Sequence, residues 1–589
     1  MSVQQSDITD LNYDLVLGVS QLAMNGIMKT YYQNSQAYFM QKTFYFIGYQ
    51  SVDWNYLVQQ TGVDPFTIPA WNGQGTMPAD IQKCVNANFQ CAFRFTPGDP
   101  GDPNAATPTF PAWDYNYISH VPNLSTNGPI VFNYTLCCSD FQVVYWDGNA
   151  NQWVTYTQPA TAGSPMSSIV KFAANATLGS NKVAFNPSDY TVPSDVKTAA
   201  AALQANNISF SIQEILFLLD DLETSPQASL PFMPTITDTY FQMLGPNFCR
   251  AYAQSLQTSF KNQPVLCYAL PQTNQPDQTL LNPTNVQLTM EKLVDANGNV
   301  FSNPTAAQTA LDSFNYICSI NGSTPVPAGQ IKWNWFDTAA DITGNNAYDG
   351  AIAISKYTLG KIFYNQINSY AESNCWVPQI SCTNVDGKDS WSFSMTGSGP
   401  VIGNPVIDNN GSNVYLIYVY TPQPFTTYGV VNTKDYVTIN TEYQLEVLIK
   451  DSKTVTVTQY ALFTYTISLN GQEAMPGIPL NVTYSEDYTV SVLPTGTLVF
   501  TAGTPVIDKQ RDEGLVPYLT DAESVQLQQA ITNTESNMQS AGLTATPLGS
   551  AQQVIFPGGT VFSFYDVQFT PSHDLACKIN YVKTTANPA

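Results

Sequence analysis

Apolar side chains stand two positions apart near the start of the chain, at Tyr13, Leu15, Leu17 and Val19, the alternation of a half-buried strand. The period then changes. Met24, Ile27, Met28 and Tyr32 follow at helical spacing, and Ser20 stands where an N-cap belongs, so a helix is predicted from Ser20 to about residue 34. The same sentence of residues returns 335 positions later: Ala347-Tyr-Asp-Gly-Ala-Ile-Ala-Ile-Ser355 repeats Asn12-Tyr-Asp-Leu-Val-Leu-Gly-Val-Ser20. Gly350, Ile352 and Ile354 alternate, Ser355 caps, and Leu359, Ile362, Phe363 and Ile367 form the matching stripe of a helix running to about Tyr370. A shared Tyr-Asp, a shared Ser, a strand and a stripe in one register point to an internal duplication.

After each opening helix the pattern is that of antiparallel strands. Phe141 to Tyr145, the turn Trp146-Asp-Gly-Asn149 and Trp153 to Tyr156 read as a hairpin, and Val406-Ile407, Asp408-Asn-Asn-Gly411 and Val414 to Tyr420 repeat the device. Further strands are predicted at Glu442 to Ile449, Val455 to Ser468 and Tyr488 to Leu493. Each half also holds a later helix. Thr520-x-x-Glu523 is a capping box ahead of Leu527, Ala530, Ile531, Thr534 and Met538, with Gly542 at the stop, and Phe248, Tyr252, Leu256 and Phe260 form the counterpart, ended before Pro264. Late strands follow at Val265 to Leu270 in one half, and at Val561 to Phe569 and Lys578 to Val582 in the other. The fold class is therefore α+β and β-dominated. It divides into a first module over residues 1–325 and a related second module over 326–589, with Ile320 to Asn346 as the junction. The loops around 97–112 and 157–206 are long insertions in the first module.

Charge narrows the set of partners. Forty-four acidic against 21 basic residues give a formal charge of −23, and the three arginines, Arg94, Arg250 and Arg511, are scattered. Polyanion binding needs clustered cations, so nucleic acid is excluded as a partner and firm docking to anionic membranes is disfavoured. No stretch has 18 or more apolar residues, and the N-terminus lacks a basic and apolar leader. The expectation is a chain with no transmembrane segment and no classical signal peptide, cytoplasmic or released by a non-classical route.

Candidate chemistry is sparse. The two histidines are His120 and His573, and Ser572-His573-Asp574 is triad-like in spelling only, since neighbours in sequence point apart. Asp220-Asp221 reads as part of a strand or a helix end. Asp295-Ala-Asn-Gly298 and Asn384-Val-Asp-Gly387 echo a calcium loop but lack its other ligand positions, and read as turns. Ten cysteines at this length do not make a disulfide scaffold and read as buried thiols, with Cys84–Cys91 and Cys375–Cys382 as the pairings favoured in an oxidising compartment. No cofactor, metal site or catalytic residue is predicted. What remains is apolar surface on the repeated helices. Such a stripe is ordinary core unless a helix laid across a curved sheet leaves a groove beneath it.

With its two Tyr-Asp to Ser motifs, at Tyr13 to Ser20 and Tyr348 to Ser355, the chain resembles the tubular lipid-binding (TULIP) superfamily, and most of all its two-module bacterial toxin-cluster branch. The resemblance implies modules in which a curved antiparallel sheet wraps a long helix. It also implies a non-enzymatic protein that binds lipid or another hydrophobic ligand and is toxin-associated. Met24, Ile27, Met28 and Tyr32 in the first half, and Leu359, Ile362, Phe363 and Ile367 in the second, would then line the ligand site. The alternative from the same residues is a structural or interaction protein with filled modules, whose charge-poor, aromatic surface meets protein or carbohydrate.

Overall fold

Sixteen-residue strands dominate the second half because their side chains alternate without interruption. In Tyr436–Asp451 and Thr454–Leu469 every second residue is buried and the intervening Thr, Gln and Glu side chains are half-exposed. A computed structural model describes most of residues 6–23, 41–97, 131–158, 281–397, 413–511 and 516–582, together with the strands Lys171–Val183, Ile212–Thr224 and Val265–Ala269 and short pieces elsewhere. All the strand pairs in it are antiparallel, and the fold is α+β and β-dominated.

A nine-stranded sheet in the second half runs in the order Val414–Tyr420, Tyr436–Asp451, Thr454–Leu469, Gly477–Val492, Thr497–Ala502 and Thr546–Pro547, with three short strands beside it. A ten-stranded sheet, nine strands from the first half and Val554–Ile555 from the second, centres on Val131–Asp147, which turns back through residues 148–151 into Gln152–Thr157, the hairpin its Asp-Gly-Asn turn predicts. Val414–Tyr420 pairs with Tyr436–Asp451, while the segment 406–411 expected to face it lies outside the described residues. So do the Phe248 to Phe260 helix and residues 98–118, while the stretch 157–206 expected as a loop holds the strand Lys171–Val183.

Between these sheets lies a third, of six strands: Pro283–Glu291, Ser313–Ile320, Leu15–Ser20, Gly350–Ile354, Leu575–Val582 and Val561–Phe569. Three come from each half. The two repeated strands pair with each other at its centre, with Leu17 opposite Ile352, and the Ser20 amide donates to the Asp349 carbonyl as the Ser355 amide donates to that of Asp14, both at 2.9 Å.

Leu15–Ser20 is buried at all six positions rather than half-buried as its alternation predicts. The reason is a second cover. Leu15, Leu17 and Val19 enter the main core, while Val16, Ile317, Ala351, Ala353 and Ala576 meet Trp333, Trp335 and Phe336 on the opposite face. The predicted junction thus supplies a lid for the central sheet. Small residues beneath it are required: a Cβ on Gly18 would lie 2.5 Å from the Trp335 ring nitrogen, which donates to Asn315 at 2.9 Å. Tyr348 of the second motif donates to the Trp335 carbonyl at 2.8 Å and stacks on Phe336.

Helices form where their caps predict. Ser355 accepts from the Thr358 amide at 3.1 Å and starts Lys356–Ser373. Thr520 and Glu523 complete their capping box at the head of Asp521–Asn537, and Glu523 also accepts from the Trp391 amide at 2.6 Å, fastening that helix to the hairpin Trp376–Val385 and Lys388–Gly397. Ser20 caps residues 21–23 in the same manner, accepting from the Ala23 amide at 3.1 Å. Beyond residue 23 the first helix lies outside the described residues.

Candidate functional site

The Lys356–Ser373 helix carries its stripe into the main core. Leu359, Ile362, Phe363 and Ile367 are each at most 1% exposed. The Phe363 ring meets Tyr415 at 5.5 Å and Phe500 at 5.4 Å, both edge-on. Those two rings stand on Val414–Tyr420 and Thr497–Ala502, which have three strands of the sheet between them. In a flat sheet four strand spacings would hold them about 19 Å apart. The sheet is therefore curled around the helix, with Phe363 at the focus. Burying four such side chains contributes about 1.5–3 kcal/mol each, enough to hold the helix there.

Several polar groups along this core bond to one another. Tyr418 donates to Asn368 at 2.8 Å, and Tyr370 and Tyr443 both donate to the fully buried Gln459. Burial pushes the hydroxyls of Tyr415 and Tyr443 well above their ordinary range. Of the first-half stripe, Met24, Ile27, Met28 and Tyr32 lie outside the described residues.

The Tyr-Asp motif has a structural explanation at each residue. Tyr13 and Tyr348 are buried under the lid, and Asp14 accepts from the Ile320 amide at 2.9 Å, from the Ser323 hydroxyl and from Thr358 in the second copy's helix at 2.8 Å. At the first residue of the helix, Asp574 accepts from Ser6, the Ile8 amide, Thr9 and the Lys356 amide. Burial pushes its carboxyl up to about 7 against the pull of those donors. Its neighbour His573 has φ +66 and a pKa lowered by burial and by Lys356, and hands no proton to Asp574, whose oxygens are occupied by the N-terminal segment and the helix amide.

Burial pushes the thiols of Cys84, Cys318, Cys375 and Cys577 up to about 12 and that of Cys91 higher still. Cys84, Cys91, Cys318, Cys375, Cys382 and Cys577 are free thiols; Cys91 packs in the main core and Cys84 in a separate cluster under the helices Trp54–Thr61 and Ala79–Asn86. Asp220 and Asp221 fall within the strand Ile212–Thr224. Among the described residues no cluster of His, Cys, Asp and Glu could hold a metal ion, and no helix is long and apolar enough to cross a membrane.

A cleft of about 480 Å³ opens on the lid side of the central sheet, between Leu293, Phe301 and Leu311 on one wall and residues 334–339 on the other. Asn334 bridges the walls, accepting from the Val294 amide at 2.8 Å and donating to its carbonyl at 2.9 Å. The periodicity of the sequence does not mark this cleft. The available signals were the Asp295 to Gly298 turn between two apolar runs and the aromatic run Trp333-Asn-Trp-Phe336 inside an apparent junction.

These features define a β-dominated α+β protein in which a sheet curls around the apolar face of one helix. No family model matches the chain, and no curated protein does. Among solved structures it is similar to P47 from Clostridium botulinum A2, at 10% identity over 96% of this chain and 97% of that one with a TM-score of 0.41. It is also similar to a lipopolysaccharide binding protein, at 8% identity over 98% of this chain and 100% of that one with a TM-score of 0.27.

Proposed function

We propose that the protein binds lipid or another hydrophobic ligand, without catalysis, in the apolar space between helix and curled sheet, and that residues 1–325 and 326–589 are two related modules derived by duplication. The observation that carries this reading is the convergence of Tyr415 and Phe500 on Phe363, because a sheet curled around one helix face makes a continuous apolar interior, filled here by these rings, that an acyl chain enters by displacing them. Leu359, Ile362, Phe363 and Ile367 are its lining in the second half, and Met24, Ile27, Met28 and Tyr32 are proposed for the first. Toxin association follows the resemblance of the two motifs and belongs to the same proposal. Native mass spectrometry of the purified protein, with organic extraction of whatever it carries, tests the reading. A stoichiometric lipid is expected, and a ligand-free protein that takes up none from added vesicles would overturn it.

A second reading is favoured by the near-zero exposure of all four second-half stripe residues. In that reading the modules are filled and the protein works through its surface as an assembly or interaction protein. A single stable oligomer free of lipid, seen by light scattering, would support it.

A further inference from the structure

The end of the nine-stranded sheet remote from the central sheet carries apolar side chains in open solvent. Tyr428, the last residue of the strand Phe425–Tyr428, is 61% exposed, and Val430 and Val431, in the connection to Tyr436–Asp451, are 59% and 44% exposed. Val385, at the neighbouring hairpin turn, is 52% exposed. The two turns are fastened together by Asp389, whose carboxylate accepts from the amides of Val430 at 2.8 Å, Val431 at 2.7 Å and Asn432 at 3.1 Å. Asp435 closes the base, accepting from the Asn432 side chain at 2.9 Å and from the Asn470 amide at 2.6 Å. Such a loop is set before it meets anything.

We propose that this tip docks the protein on the surface of a zwitterionic phospholipid bilayer, with Tyr428, Val430 and Val431 entering the interfacial layer. Three features select a bilayer over a protein. The apolar groups project from turns at a sheet end, a shape that enters a soft phase more readily than it meets a flat partner. The amides of Val430 and Val431 are already bonded to Asp389, so inserting these two residues strands neither backbone donor. Lys388 and Lys434, both exposed and in no ion pair among the described residues, stand in or beside the same two turns and suit lipid phosphates, as a tyrosine suits the interfacial boundary. The formal charge of −23 directs the contact to phosphatidylcholine rather than to anionic lipid. This inference is separate from the ligand reading, since the tip shares no residue with the Phe363 core.

The test is flotation of the full chain with phosphatidylcholine vesicles, comparing wild type with the V430D/V431D double variant. Both substitutions are on exposed side chains, and equal thermal melting of the two proteins checks the fold. The wild type is expected to float and the variant to lose roughly tenfold or more of its partitioning. A tryptophan at Val430 should shift its emission to the blue only when vesicles are present. Failure of the wild type to float, or equal flotation of the double variant, overturns the proposal. So does a wild-type dimer that the double variant dissolves in analytical ultracentrifugation, because the tip would then be an interface between copies.

Discussion

Leu17 and Ile352 face each other at the centre of the central sheet, and each stands four residues after the tyrosine of its own Tyr-Asp motif. Two repeated strands paired antiparallel at equivalent positions are related by a two-fold axis running between those side chains. The flanking strands follow it: Ser313–Ile320 lies beside the first copy as Leu575–Val582 lies beside the second. Both side chains enter the same core, so they share whatever space either vacates. Leu17→Ala and Ile352→Ala are each expected to cost about 2–5 kcal/mol, and the double variant less than their total. Guanidinium unfolding of the four proteins measures the coupling; strict additivity would show that the two sites are independent.

Gly18 and Trp335 make a contact that tolerates no side chain on the first. Gly18→Ala is expected to destabilise by about 1–3 kcal/mol, because the ring cannot withdraw without losing its bond to Asn315. Adding Trp335→Phe should recover part of that loss. A double variant weaker than both singles would place the strain elsewhere.

Asp574 gives a pH dependence with a defined sign. Its carboxyl is raised in the folded chain to about 7, above an unfolded value of about 4. The folded state therefore holds the proton more tightly, and the stability this group contributes is full below about pH 4 and is lost as pH rises through about 7. Asp574→Asn cannot titrate. The wild type should gain melting temperature relative to the variant on going from about pH 8 to about pH 4, and a pH-independent difference between them would contradict the assignment.

Several parts of this architecture are legible in the residues, and the division has physical causes. Local signals act within one turn or one pleat. The Ser355 and Thr520 caps, the alternation of Tyr436–Asp451, and the Asn384 to Gly387 hairpin with Asp386 and Gly387 at positive φ all announce themselves in a few residues. Partnership does not, because hydrogen-bonded strands need carry no mark of one another. That Leu15–Ser20 meets Gly350–Ile354, and that Trp335 turns a half-buried strand into a fully buried one, are consequences of packing between residues hundreds apart. Likewise the Leu359 stripe is visible as a face, but the curl that brings Tyr415 and Phe500 onto Phe363 belongs to the sheet as a whole.

Glu523 serves the cap of its helix and the hairpin edge at once. Thr520→Ala removes the cap alone and should cost about 1 kcal/mol. Glu523→Ala also leaves the buried Trp391 amide without its acceptor, adding about 1–3 kcal/mol. The difference between the two variants, read from thermal unfolding, isolates the hairpin contact; equal losses would assign Glu523 to the cap only.

Phe363 separates the two functional readings. If the module is filled by its own side chains, Phe363→Ala opens a dry cavity between Tyr415 and Phe500 and costs about 3–5 kcal/mol, with little recovered from solution. If the same space admits an acyl chain, the truncation enlarges a site that ligand can occupy. A bound ligand stabilises in proportion to the logarithm of its concentration over its dissociation constant, so a saturating fatty acid should return much of the lost melting temperature. The comparison is made against Leu527→Ala, which opens a cavity in the same main core on the other second-half helix and reports non-specific effects of the added lipid. Recovery by Phe363→Ala beyond that of Leu527→Ala supports a ligand channel along the Lys356–Ser373 helix. Equal recovery, or none, leaves the surface reading as the one the molecule obeys.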